Sequence, residues 1–105
     1  MENAIFIEFP EAEKEELHIN NFGRSVTKPG HRYGPAVRSF YLLHYILDGE
    51  GEFSGNGASY RLRQGQGFLI EPDYLTTYTS DQKRPWTYVW LGFSGRRAKS
   101  ILNSI

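Results

Sequence analysis

No cysteine occurs in the 105 residues, which excludes disulfide frameworks, thiolate zinc sites and cysteine nucleophiles together. Small secreted domains commonly rely on such staples, so their lack favours a cytoplasmic protein. An excess of charge is also missing: 12 Lys and Arg balance 12 Asp and Glu. A phosphate-gripping surface normally carries a strong positive bias, so this chain is not expected to bind nucleic acid unaided. Nor does any run approach the roughly 18 apolar residues of a membrane span. The start, MENAIFIEFPEAEKEE, is acidic where a signal peptide wants Lys and Arg. At this length one hydrophobic core can form and two cannot.

What the chain does have is glycine, 11 residues of it, placed between short apolar runs at the rhythm of an all-β sandwich or barrel. Strands are predicted near 4–9, 17–24, 40–49, 51–55, 58–62, 67–71, 76–79 and 86–93. The turns SGNG, RQGQG and EPD between them carry residues that tolerate turn geometry. Residues 28–39, KPGHRYGPAVRS, show no clear period and read as a basic loop or irregular crossing segment. One helix is predicted, in SGRRAKSILNSI, with Ser94 as its N-cap and Ala98, Ile101, Leu102 and Ile105 as its apolar stripe. That stripe runs on without a stop signal, so the sequence reads as a piece of a longer protein.

The stretch PWTYVWLGFSG alternates Trp86, Tyr88 and Trp90 on one face with Val89, Leu91 and Phe93 on the other. Both faces are apolar, which a simple two-layer sheet does not require. The rings of the first face could be barrel core. Each, however, carries an N–H or O–H that is costly to bury without a partner, so a partly wet interior suits them better. Sugars fit such a wall, with their C–H faces on the rings and their rim hydroxyls bonded to Trp and Tyr edges.

With these residues in view, YGPAVRSFYLLHYILDGEGEF, YRLRQGQGFLIEP, TTYTSD and PWTYVWLGFSG together resemble the N-terminal ligand-sensing domain of AraC/XylS-family bacterial transcription regulators, closest to those governing sugar metabolism operons. The resemblance implies a mainly β fold, a cupin-like double-stranded β-helix or jelly-roll barrel, followed by a truncated C-terminal helix. It implies an arm over 1–39, a barrel over 40–94 and the start of a linker helix over 95–105, with the helix-turn-helix domain absent. It further implies a cytoplasmic homodimer that binds a small carbohydrate inside the barrel, with an N-terminal arm over the ligand, and that reaches DNA only through the absent domain.

The family pattern carries sugar contacts onto Trp90, Tyr88 and Tyr78. It also has a sugar-binding arginine near Arg38, whose planar fork of donors suits vicinal hydroxyls; Arg32 competes for that role. His44, alone in an apolar strand, reads as a hydrogen-bonded core histidine or as a ligand contact using both ring nitrogens. Metal-binding cupins place a histidine where this chain has Thr76, and their His-x-His pair is reduced here to His44. No metal and no cofactor is therefore expected. There is no Gly-x-Ser-x-Gly elbow, and the pairs Glu50/Glu52 and Glu15/Glu16 lie in a hairpin and a charged run, so no catalytic residue is assigned. The inventory is that of a binder. The alternatives are a cupin sugar isomerase or epimerase, or a ligand-free dimerisation barrel.

Overall fold

The computed structural model of the chain describes residues 3–8, 17–55 and 57–103. The chain order is β1 (Asn3–Glu8), β2 (His18–Val26), β3 (Arg32–Ala36), β4 (Tyr41–Asp48), β5 (Glu50–Gly55), β6 (Ala58–Arg63), β7 (Gly67–Ile70), β8 (Thr76–Ser80), β9 (Thr87–Ser94) and α1 (Ala98–Asn103). The strands form two sheets, one of five strands ordered β1-β2-β9-β4-β7 and one of four ordered β3-β8-β5-β6. All registered pairs are antiparallel. This is the all-β arrangement that the glycine rhythm foreshadowed, in the jelly-roll form that the resemblance implied.

Alternation decides which side chains enter the barrel. In β4, Leu42, His44 and Ile46 are buried, while Leu43, Tyr45 and Leu47 are exposed. The core is Leu42, Ile46, Phe68, Ile70, Tyr78, Trp86 and Tyr88, with Phe53, Leu62 and Trp90 packed against it. Where the chain enters β9, a closed ring of hydrogen bonds ties three segments. The Thr27 hydroxyl donates to the Trp86 carbonyl at 2.7 Å and sits 2.7 Å from Ser80 Oγ, which accepts from the Trp86 N–H at 2.8 Å. These buried polar groups are thereby satisfied, and the Trp86 indole, 1% exposed, is fixed in the core.

Gly51 explains why that indole fits. A Cβ there would stand 2.5 Å from the Thr79 carbonyl oxygen and 2.7 Å from the Trp86 ring. Gly51→Ala is expected to destabilise the barrel by about 1–3 kcal/mol through overpacking. A urea titration would show it as a lower midpoint at unchanged slope.

Two local expectations are corrected. The segment over 28–39 is not irregular throughout, because it contains β3, the first strand of the four-stranded sheet order. β3 escapes a period search because it is five residues long and its register with β8 shifts between Tyr33 and Ala36. Gly34 in its middle takes φ +105°, a conformation side chains rarely adopt, and a Cβ there would lie 2.5 Å from the Thr76 carbonyl oxygen. Ser94 is likewise not an N-cap. It ends β9 and its hydroxyl donates to Asn20 Oδ1 at 2.9 Å, while α1 begins at Ala98 after a Gly95 turn. Phe9, Glu15, Glu16 and Ile105, which figure in the sequence expectations, lie outside the described residues.

Candidate functional site

The inward faces of β2, β9 and β4 form a small grid set by register. Asn21, Gly92 and Leu42 lie in one row, Gly23, Trp90 and His44 in the next, and Ser25, Tyr88 and Ile46 in the third. Because two of the nine positions are glycine, the grid is not filled, and a cavity of about 550 Å³ opens above it. Tyr78 from β8 and Tyr33 from β3 wall the opposite side, Arg38 enters from the β3–β4 connection, and Phe6 of β1 stands at the rim.

All five residues singled out in the sequence, Arg38, His44, Tyr78, Tyr88 and Trp90, line this one cavity. Arg32, the competitor of Arg38, is exposed and lies outside it. Of the three aligned rings, Trp86 goes to the core while Tyr88 and Trp90 face the cavity, so the aromatic face is shared between packing and pocket. Trp90 is half-buried, and its indole N–H donates to Asn21 Oδ1 at 3.1 Å. Phe6 leans on it with ring centroids 5.9 Å apart. Gly92 leaves room for that amide, since a Cβ there would come within 2.7 Å of Asn21 Oδ1.

His44 sits in a box of rings. It stacks on Phe68 at 4.4 Å and meets the edges of Tyr78 and Tyr88, each at 4.9 Å. Burial, and then the charge of Arg38, lower its pKa from 6.5 to about 3, so the imidazole is neutral at ordinary pH. Its Nδ1 is buried without a hydrogen-bond partner, and so is Ser25 Oγ. Buried polar atoms are normally satisfied. Two such atoms belonging to residues that line one cavity mark positions where an incoming hydroxyl or water is needed.

Among the described residues Arg38 is the only charged side chain lining the cavity. Its guanidinium lies 4.7 Å from the centre of the Tyr33 ring. Burial works against its charge, but hydrogen bonds to Tyr33 and Tyr78 outweigh that and raise its pKa. The Tyr78 phenol is pushed well up, by burial first and then by Tyr88. It therefore stays protonated and can both donate and accept. The wall is thus neutral or basic, with hydrogen-bonding tips on apolar rings. Among the described residues no three His, Cys, Asp or Glu side chains converge as metal ligands would, and no carboxylate lines the cavity.

Asn21, Ser25, Tyr33 and Phe6 are lining residues that sequence reasoning missed. Tyr33 was hidden in the segment without a period. Asn21, Gly23 and Ser25 do alternate in β2, and a run of short polar residues on one face of a strand is the signal that could have found them.

Comparison with known proteins bears on this geometry. Residues 18–105 match the model of the AraC-like ligand binding domain family. The chain is 37% identical over 87 residues to the Msm operon regulatory protein of Streptococcus mutans, covering 83% of this chain and 31% of that protein. It is 34% identical over 91 residues to the raffinose operon transcriptional regulatory protein RafR of Pediococcus pentosaceus, covering 84% of this chain and 33% of that one. The chain therefore spans about a third of the length of these curated relatives. Among solved structures, a cupin 2 conserved barrel domain protein from Salinispora arenicola superposes with a TM-score of 0.70 at 12% identity, covering 99% of this chain and 85% of that one. At that identity it speaks for the fold alone.

Proposed function

This chain belongs to the AraC-like ligand binding domain family, and we propose that its cavity reversibly binds a sugar or small oligosaccharide through Arg38, His44, Tyr78, Tyr88 and Trp90. The observation that carries this reading is the meeting of three features in one cavity: the Trp90 and Tyr88 rings, the Arg38 fork, and the unpartnered polar atoms of Ser25 and His44. A carbohydrate offers what each lacks, with C–H faces for the rings and hydroxyls that donate and accept. The operons named for two relatives, raffinose and lactose, point to the same ligand class.

Those relatives are regulators about three times as long as this chain, so the occupied barrel would act on DNA through parts of a longer protein. Binding would shift the balance between two arrangements of β1 and α1 that differ in sugar affinity. Whatever sugar does to DNA affinity, DNA must then do to sugar affinity, with a typical coupling of about 1–3 kcal/mol. The setting would be the cytoplasm, and no helix among the described residues is long and apolar enough to cross a membrane.

A thermal-shift screen against mono-, di- and trisaccharides tests the reading. A ligand at a hundred times its dissociation constant adds about 2.7 kcal/mol, which in a domain of this size is a shift of about 10 °C or more. One responding sugar class would identify the effector. A folded protein that responds to none would remove the effector role.

A further inference from the structure

Two asparagines stand side by side in β2, and the fold treats them differently. The pairing of β2 with β9 sets His18 opposite Ser94 and Ile19 opposite Phe93, skips Asn20, and resumes with Asn21 opposite Gly92. Asn20 is thus the extra residue of a β-bulge, and its Oδ1 accepts from the Ser94 hydroxyl at 2.9 Å. Strict alternation from the buried His18 would turn Asn20, Phe22 and Arg24 inward. The bulge shifts that set by one, so Asn21 and Ser25 are buried against the cavity while Phe22 and Arg24 are exposed. Bulges recur beside functional sites, where they re-aim a side chain. Here the side chain delivered to the cavity is Asn21.

One bond orients its amide. An indole N–H can only donate, so the 3.1 Å contact with Trp90 Nε1 fixes Oδ1 as the acceptor. Gly92 keeps the space for that oxygen, since a Cβ there would stand 2.7 Å from it. The Trp90 N–H is therefore spent on the protein, which leaves Trp90 its ring for the ligand. With Oδ1 held by the indole over Gly92, what the amide has left for the cavity is Nδ2 with its two donors. The hydroxyls of Ser25, Tyr78 and Tyr88 on the same wall can each donate or accept. We propose, on the footing that the cavity takes a carbohydrate, that Asn21 is a specificity-determining residue whose Nδ2 donates to an acceptor oxygen of the bound sugar. It does the work that the Trp90 N–H would otherwise do. The ligand must present a lone pair there, on a ring or glycosidic oxygen or on a hydroxyl that accepts. Sites built to hydrogen-bond a ligand group reject ligands that lack it, because the buried partner is left unpaired.

A double-mutant cycle read by titration calorimetry tests this. The probes are lactose and raffinose, the sugars in the operon names of two relatives, with the other saccharides of the thermal-shift screen. Asn21→Ala is expected to weaken binding about tenfold or more in the natural chain. The same loss is expected in the Trp90→Phe background, where no indole N–H remains to be oriented. A loss confined to the natural chain would reduce Asn21 to a support for Trp90 and overturn the proposal. Should alanine loosen the bulge, Asn21→Leu combined with Trp90→Phe replaces both partners by apolar groups of similar shape, a swap that costs little stability. That pair is expected to bind about tenfold or more weaker than Trp90→Phe alone. If sugar binds and the Asn21 variants, folded by near-UV circular dichroism, bind it as tightly, the role of Asn21 alone falls. If no saccharide binds the natural chain, the carbohydrate reading falls and the role of Asn21 with it.

Discussion

Trp90→Ala is expected to weaken sugar binding about thirty- to 150-fold and to leave a folded barrel. The two tryptophans are separated by role: Trp86 is 1% exposed in the core, whereas Trp90 is half-buried at the cavity and packs against the core only from outside. Deleting Trp86 would cost what large core deletions cost, about 3–5 kcal/mol. Deleting Trp90 removes a ring that already has water nearby, and the penalty falls on the ligand. The sugar would lose its stacking surface together with the group that fixes Asn21 through the 3.1 Å bond. Taken together, a loss of roughly 2–3 kcal/mol is expected, about thirty- to 150-fold in affinity.

Trp90→Phe separates the two contributions, since it keeps a ring and removes the bond to Asn21. An intermediate affinity is expected. Titration calorimetry with the sugar identified by thermal shift measures both variants. Undiminished affinity in Trp90→Ala, with near-UV circular dichroism showing a folded barrel, would mean that sugar binds somewhere other than this cavity.

How much of this was legible beforehand depends on which physics each residue obeys. Strands that alternate strictly, such as β4 and β9, announce themselves, because a period of two is imposed by the pleat and survives in the residue types. Tyr88 and Trp90 were legible for the same reason. β3 was not, because its place in the sheet comes from Tyr33 opposite Tyr78 and from a backbone turn at Gly34, neither of which leaves an apolar period. The cavity was not legible as a cavity either. It exists because Gly23 and Gly92 fall beside Trp90 and Asn21 once three strands are in register, a two-dimensional fact that a one-dimensional reading does not contain. Ser94 illustrates the reverse case: it has the chemistry of a cap, but sheet pairing with His18 keeps it extended. That Arg38 and not Arg32 lines the cavity follows from tertiary placement alone.

Acid is expected to destabilise the barrel through His44 well before carboxylates are titrated. In the unfolded chain this histidine has an ordinary pKa of about 6.5; in the fold it lies at about 3, held there by burial and by Arg38. Between those values the unfolded chain carries a proton on the imidazole that the native barrel does not, so stability falls as pH falls. The contribution is complete above about pH 6.5 and is exhausted at the folded value. At 1.36 kcal/mol per unit, moving from pH 6.5 to 4.5 removes about 2–3 kcal/mol, a large share of the 5–15 kcal/mol typical of a domain. Asp81 does not confuse the measurement. Arg61, then the Arg84 and Lys83 N–H groups, lower its pKa from 3.8 to about 2, so its own contribution is lost only below that window. Urea titrations across pH 4.5 to 6.5, on the natural chain and on His44→Gln, isolate the effect. The natural chain is expected to weaken steeply and the variant to be nearly flat. Equal slopes would mean that the imidazole accepts a proton without leaving its place, which a box of Phe68, Tyr78 and Tyr88 beside a guanidinium does not allow.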